Sequence, residues 1–371
     1  MKRCLLAVLF VTGAASAQQP YFPPAGTWAH KSPADVGLDP VKLAAAIAWA
    51  QAHETERALD FSDQEKTFGT RLGSMPTRRA HTNGVVIYKG FVVAEFGDTA
   101  AVDPTYSVAK SILATVAGVG VRDGRIAVTD LVSKTVNDGG YATPNAGITW
   151  QHHLQQESEW QGILWGKNAD FIGAAAFGAG ERKPRAAMAP GTFFEYNDVR
   201  INRFALSLLR VFDKPVPEVF QDDVMGPIGA SNSWKWVPYP NSYVDLHGKQ
   251  AASVSGGTRW GGGMWIDTWD MARFGYLWLR KGAWDGKQIV PAPYVTAALT
   301  PSAHGPDKRT LSAAPGEWPR SPASRIQPDC RHASARRSPV RDRARRQSYC
   351  CRRRAPHTRW QAGPARSCPW C

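Results

Sequence analysis

Apolar positions recur with different periods along the chain, and each change of period marks an element. In "SPADVGLDPVKLAAAIAWAQAHE" the apolar residues Leu43, Ile47 and Ala50 keep helical spacing, with Ser32 or Asp39 as possible caps. This predicts a helix from about Pro40 to His53. "NGVVIYKGFVVAEFGD" holds two short β-rich runs broken at Lys89-Gly90, the pattern of a hairpin. "SVAKSILATVAGVGVRDG" is apolar at helical spacing and should stop near Asp123-Gly124. Residues 125–230 read as loop-rich and helical, with "DVRINRFALSLLRVF" as the clearest amphipathic helix. "SVSGGTRWGGGMWIDTWDMARFGYLWLRKG" opens rich in glycine. A helix then follows from about Thr268 to Lys281, capped by Asp267 or Thr268 and stopped by Gly282. "PAPYVTAAL" predicts one more short helix. No internal repeat is visible. Helices and hairpins in this order describe an α+β (mixed α/β) fold with a helical insertion.

Composition divides the chain into three parts. Lys2 and Arg3, the apolar "CLLAVLFV" and the small-residue "ASA" ending at Ala17 read as a secretory signal over 1–17. That apolar run is too short to span a bilayer, and so is the longest later one, "ILATVAGVGV", which Arg122 and Asp123 end. The expected location is therefore periplasmic or secreted, with no integral membrane segment after signal removal.

The net charge of +14 points at first to nucleic acid, but its distribution argues otherwise. From Arg320 to Cys371 fourteen arginines face only Asp329 and Asp342, a surplus of twelve. Lys2 and Arg3 carry the rest, so the stretch 18–319 is formally neutral. Cys330, Cys350, Cys351, Cys368 and Cys371 also lie in the tail, and the body has no cysteine. An exported body without cysteine rests on its core rather than on disulfides.

The tail 320–371 has only Ile326 and Val340 as aliphatics beyond alanine, and composition of this kind predicts disorder. It reads as a basic nucleic-acid arm, as a disulfide or metal module, or as out-of-frame translation. Arg, Ala, Pro, Ser and Cys without Lys or Phe favour the last. The Cys350-Cys351 and Cys368-x-x-Cys371 spacings match no zinc site with a proper second half.

Within the body the candidate chemistry starts at "TYSVAKSILATVAGVG". Ser107 and Lys110 stand three apart, so on a helix they share a face near its N-terminal, positive end. The chain holds 22 serines and 15 lysines, so about one Ser-x-x-Lys is expected by chance. A serine nucleophile needs a base, and a lysine serves only when a lowered pKa leaves it neutral. The plain alternative is a helix-start serine beside a solvated lysine. Further on, "GTFFEYNDVRINR" places Tyr196 and Asp198 before an amphipathic helix. Tyr196 could relay a proton, or be a core aromatic with Asp198 as N-cap.

These motifs together resemble the serine hydrolases related to class C β-lactamases and penicillin-binding DD-peptidases, a group that includes esterases and amide hydrolases. The matching stretches are "YSVAKS", "GRIAVTDLVSKTV", "ITWQHHL", "PGTFFEYND" and "GGGMWIDTWDMARFGYLWLRKG", in the family's order over about residues 30–300. The resemblance implies an antiparallel sheet flanked by helices, with Ser107 as the acylated nucleophile, Lys110 as its base and Tyr196 as a second proton-transfer group. Position 198 is Asp where the family usually has Asn, a substrate-contacting position, and a carboxylate there would repel an acidic substrate. The family's third element, a (Lys/His)-(Thr/Ser)-Gly strand near the C-terminus, is not found. His247-Gly248 and His304-Gly305 are poor substitutes, and the expectation is that the C-terminal strands of a domain over 18–319 are missing.

The expected activity is acyl transfer from an ester, amide or β-lactam carbonyl to Ser107, with a small-molecule or peptide-like partner and no cofactor or metal. The alternatives are an inactive or truncated remnant that binds without turnover and, last, nucleic-acid binding through the tail. His152, His153, Glu157 and Glu159 hint at a metal, but a helical segment explains them better, since no third ligand has zincin spacing. "GGTRWGGGMW" lacks the Lys-Ser/Thr of a phosphate loop. Trp160, Trp165, Trp234, Trp236, Trp260 and Trp265 either rim a cleft or belong to the core.

Overall fold

The first α-helix is capped at its start. Asp39 accepts hydrogen bonds from the Val41 and Lys42 amides, and Pro40 occupies the first turn of α1, Pro40–Ala52. The computed structural model describes residues 20–62, 78–169, 185–257, 263–300 and 302–304. Leu43 and Ile47 are only half-buried and no residue of α1 is fully buried. The helical spacing was legible there, but full burial does not follow from it.

The expected hairpin is present. β1 (Gly84–Tyr88) pairs antiparallel with β2 (Phe91–Phe96), with a register shift between Val86 and Ile87. Lys89 and Gly90 make the turn, both with positive φ. β3 (Asp103–Pro104) then leads into a 3₁₀ turn, Tyr106–Val108, and α2, Ala109–Arg122. Every residue of α2 from Ala109 to Gly120 is buried. A helix apolar on most sides belongs at the centre of a fold, and α2 does. Ile112, Leu113 and Val116 are completely buried, each adding about 1.5–3 kcal/mol of hydrophobic stabilisation.

Within 125–230 the described residues form α3 (Trp150–Leu154), α4 (Asp198–Phe212) and α5 (Val216–Phe220), with a small hairpin of β4 (Ile163–Leu164) and β5 (Lys167–Asn168). The next segment was not expected. "KWVPYPNSYVDL" and "KQAASV" form β6 (Lys235–Leu246) and β7 (Lys249–Val254). Two prolines and an uneven apolar pattern hid β6, which pairs with β7 through an irregular register between Pro238 and Tyr243. β8 (Gly263–Ile266) completes a four-stranded antiparallel sheet in the order β3-β8-β6-β7.

α6, Thr268–Leu279, is capped by Asp267 and ends two residues earlier than expected, with Gly282 at positive φ beyond it. The short hairpin β9 (Ala283–Trp284) and β10 (Lys287–Gln288) precedes α7, Ala292–Ala298. The fold is mixed α/β, with antiparallel sheets and helices. No strand follows β10 among the described residues, and the tail expected at 320–371 lies outside them, as does the signal expected at 1–17. Among the described residues no helix is long and apolar enough to cross a membrane.

Candidate active site

The sheet and α2 meet at Ser107. The Thr105 amide donates to Met264 O of β8 (2.9 Å), which ties the start of the 3₁₀ turn to the sheet. Tyr106 then takes φ +48°, a conformation that non-glycine residues adopt at a cost. The expectation placed Ser107 on the α-helix proper. It lies instead on the 3₁₀ turn before α2, where it is exposed. Lys110, one turn on, is buried with its side chain at 0 % exposure.

α4 brings the second half of the site. Asn197 is its N-cap, accepting from the Arg200 amide (3.0 Å), so the alternative reading of Asp198 as the cap is wrong. The Asn197 amide donates to Gln156 Oε1 (2.8 Å), and its side chain donates to Ala169 O (2.6 Å). With the cap filled, Asp198 turns to Lys110: Nζ donates to Oδ1 at 2.8 Å. The Tyr196 hydroxyl donates to Ser107 Oγ at 2.5 Å. Lys110 Nζ also donates to Ser107 Oγ (3.3 Å) and lies 4.7 Å from the centre of the Tyr196 ring. Ser107, Lys110, Tyr196 and Asp198 are therefore brought together.

The third partner of Lys110 was not foreseen. Gly256 O, just past β7, accepts from Nζ at 2.8 Å. A Cβ on Gly256 would stand 2.2 Å from Ile201 Cγ2 of α4, so no side chain fits where this carbonyl must come. Gly256 N donates to Asn202 Oδ1, and Asn202 Nδ2 donates to the buried Tyr239 hydroxyl (3.0 Å). The glycine pair in "SVSGG" was the available signal, but a sequence does not say which backbone the glycines approach.

Charge in the site also differs from expectation. A neutral lysine of lowered pKa was anticipated. Burial does push Lys110 down, but Asp198 and Tyr196 beside it outweigh burial and hold it above the usual lysine range. The Asp198 carboxylate at 2.8 Å thus favours the charged form of Lys110.

A buried ionic network fixes the start of α4. Arg200 bonds Glu159 Oε1 (2.6 Å), Glu195 Oε2 (2.8 Å) and Trp160 O (3.1 Å). Arg185 also pairs with Glu159 (2.6 Å). Burial raises the Glu159 carboxyl, yet these arginines and the Met188 amide bring it below the ordinary range. Glu159 is thus structural. His152 closes a capping box with Thr149, and His153 is buried against Tyr141 and Phe204. Glu157 accepts from Ser302 (3.2 Å) and stands 3.3 Å from His304 Nδ1. Among the described residues no three such groups converge as a metal site.

His247 and Gly248, at φ +55° and +78°, are the turn between β6 and β7, not a wall of the site. Trp160, Trp236 and Trp265 are core residues, Trp165 and Trp234 pack against the core, and Trp260 lies outside the described residues.

A family model described as Beta-lactamase matches residues 78–325, more than half of the chain. The chain belongs to the Beta-lactamase family. The matched span includes Ser107, Lys110, Tyr196 and Asp198. No curated protein matches the sequence. Among solved structures the chain is similar to a penicillin binding protein from Bacillus halodurans, at 17% identity and TM-score 0.41, covering 63% of this chain and 77% of that one. It is also similar to a penicillin-binding protein homologue from Pyrococcus abyssi, at 19% identity and TM-score 0.43, covering 71% of this chain and 60% of that one.

Proposed function

We propose that this member of the Beta-lactamase family is an exported serine hydrolase that works through an acyl-enzyme on Ser107. The observation that carries the reading is the contact set of Ser107 Oγ, an exposed hydroxyl held by Tyr196 at 2.5 Å and by the buried Lys110 at 3.3 Å. Export rests on the sequence of residues 1–17, read as a signal.

In the proposed mechanism Ser107 Oγ attacks an ester, amide or β-lactam carbonyl. The Ser107 proton passes to Tyr196 Oη while the phenol gives its own proton to the leaving group. Lys110 stays charged and stabilises the negative charge that develops on Oγ and Oη. The N-terminal end of α2 favours the oxyanion. Water then attacks the acyl group, Tyr196 relays its proton back to Ser107 Oγ, and the acid leaves. Lys110 is thus an electrostatic partner, and Tyr196 moves the protons.

A fluorophosphonate or penicillin probe tests the reading. Covalent labelling of the purified protein that disappears in Ser107→Ala is the expected result. Folded protein that takes up neither probe and hydrolyses no ester overturns it, and leaves binding without turnover as the alternative.

A further inference from the structure

We propose that Asp198 sets the charge of the acyl group this site accepts: uncharged or cationic acyl groups are taken, and carboxylate-bearing ones are turned away. This rests on the reading of Ser107 as nucleophile and deepens it by naming a substrate class.

The argument starts from exposure. Lys110 and Asp198 are bonded at 2.8 Å, but their side chains are 0% and 17% exposed. The cationic end of the pair is sealed beneath Ser107, while the anionic end reaches the solvent side. The two charges balance, so an incoming carboxylate meets no net cation below Ser107. The member of the pair that it meets first is another carboxylate. Lys110 Nζ bonds both Asp198 Oδ1 and Ser107 Oγ, which puts Asp198 within about 6 Å of the nucleophile. At that range, and outside bulk water, a charge acts strongly on its neighbour.

The backbone adds to this. A Cβ on Gly257 would lie 3.6 Å from Lys110 Nζ and 3.7 Å from Asp198 Oδ1, so the chain at Gly256-Gly257 passes close to the pair, and Gly256 O bonds the lysine directly. The lysine's hydrogen bonds go to Asp198, Gly256 O and Ser107. None is needed from a substrate carboxylate. An asparagine at 198 would keep the shape and leave the ammonium unneutralised. The acidic residue therefore cancels the net positive charge below Ser107 without changing the frame. Among the described residues a further cation, Arg57, lies over the Tyr106 ring at 5.6 Å.

Three p-nitrophenyl esters of similar length test the proposal: hexanoate (neutral), hydrogen adipate (anionic) and 4-(trimethylammonio)butyrate (cationic). Each kcat/KM is corrected for spontaneous hydrolysis, in wild type, Asp198→Asn and Ser107→Ala. The wild type should cleave the adipate at least about tenfold less efficiently than hexanoate, and the cationic ester at least as well as hexanoate. Asp198→Asn should raise the adipate-to-hexanoate ratio about tenfold and lower the cationic-to-hexanoate ratio. A merely structural role of Asp198 would slow all three esters alike and leave both ratios unmoved, which overturns the proposal. So does an adipate preferred by the wild type, the result expected if Arg57 set the local sign. Loss of the hexanoate activity itself, or its survival in Ser107→Ala, would instead defeat the assignment of the nucleophile.

Discussion

Lys110 Nζ and Asp198 Oδ1 stand 2.8 Å apart across 88 positions of sequence, with the lysine fully buried and the aspartate still touching solvent. The two halves of such a pair are not equivalent. Asp198→Leu strands an ammonium that has no route to water and should cost about 3–5 kcal/mol. Lys110→Met leaves a carboxylate that can rehydrate, and should cost less. The double variant should be more stable than Asp198→Leu alone. Urea unfolding of the four proteins measures the cycle, and equal costs for the two single variants would contradict this asymmetry.

The same pairing shapes the pH dependence of activity. Asp198 and Tyr196 hold Lys110 above the ordinary lysine value. The wild-type kcat/KM profile should show no limb from Lys110 below about pH 10. In Asp198→Asn, burial is no longer opposed by a carboxylate, and the Lys110 titration moves down. A new alkaline limb in that variant, absent from the wild type, is the expected reading.

Gly256 is the tightest point of the frame. Gly256→Ala places a Cβ at 2.2 Å from Ile201 Cγ2 and pushes the carbonyl away from Lys110. A loss of about 1–3 kcal/mol is expected from overpacking, together with loss of activity. Ile201→Ala in the same chain removes the obstructing methyl. It should relieve the backbone shift and restore part of the activity, even though it opens a small cavity of its own.

Stability should fall in mild acid through His153. Burial and the nearby arginines hold this imidazole well below its ordinary value, so it is neutral when folded. The unfolded chain takes up that proton first. The stability is therefore complete above about pH 6.5 and is lost as pH falls toward the lower folded value. His153→Gln should flatten the drop in melting temperature between about pH 7 and 5. An unchanged slope would assign the acid sensitivity elsewhere.

Much of the secondary structure was legible in the chain. α4 runs from Asp198 to Phe212 as its amphipathic period says, and the Lys89-Gly90 turn sits where the hairpin signal puts it. These features are local: helical period, capping and turn chemistry act within a few residues. β6 was not legible, because Pro238 and Pro240 interrupt its pattern and its pairing with β7 and β8 is decided by distant partners.

The site divides in the same way. Ser107 and Lys110 share a face because they are three residues apart, and "EYND" announces a polar start to α4; the sequence alone determined that much. Only the tertiary structure decided that Asn197 caps α4, that Asp198 is thereby free to reach Lys110, and that Gly256 supplies the third contact. The physical reason is that a lysine's charge state is not a property of its neighbours in sequence. It depends on how much water is excluded and which carboxylate comes within hydrogen-bond reach, and both are set by how α2, α4 and the end of β7 pack.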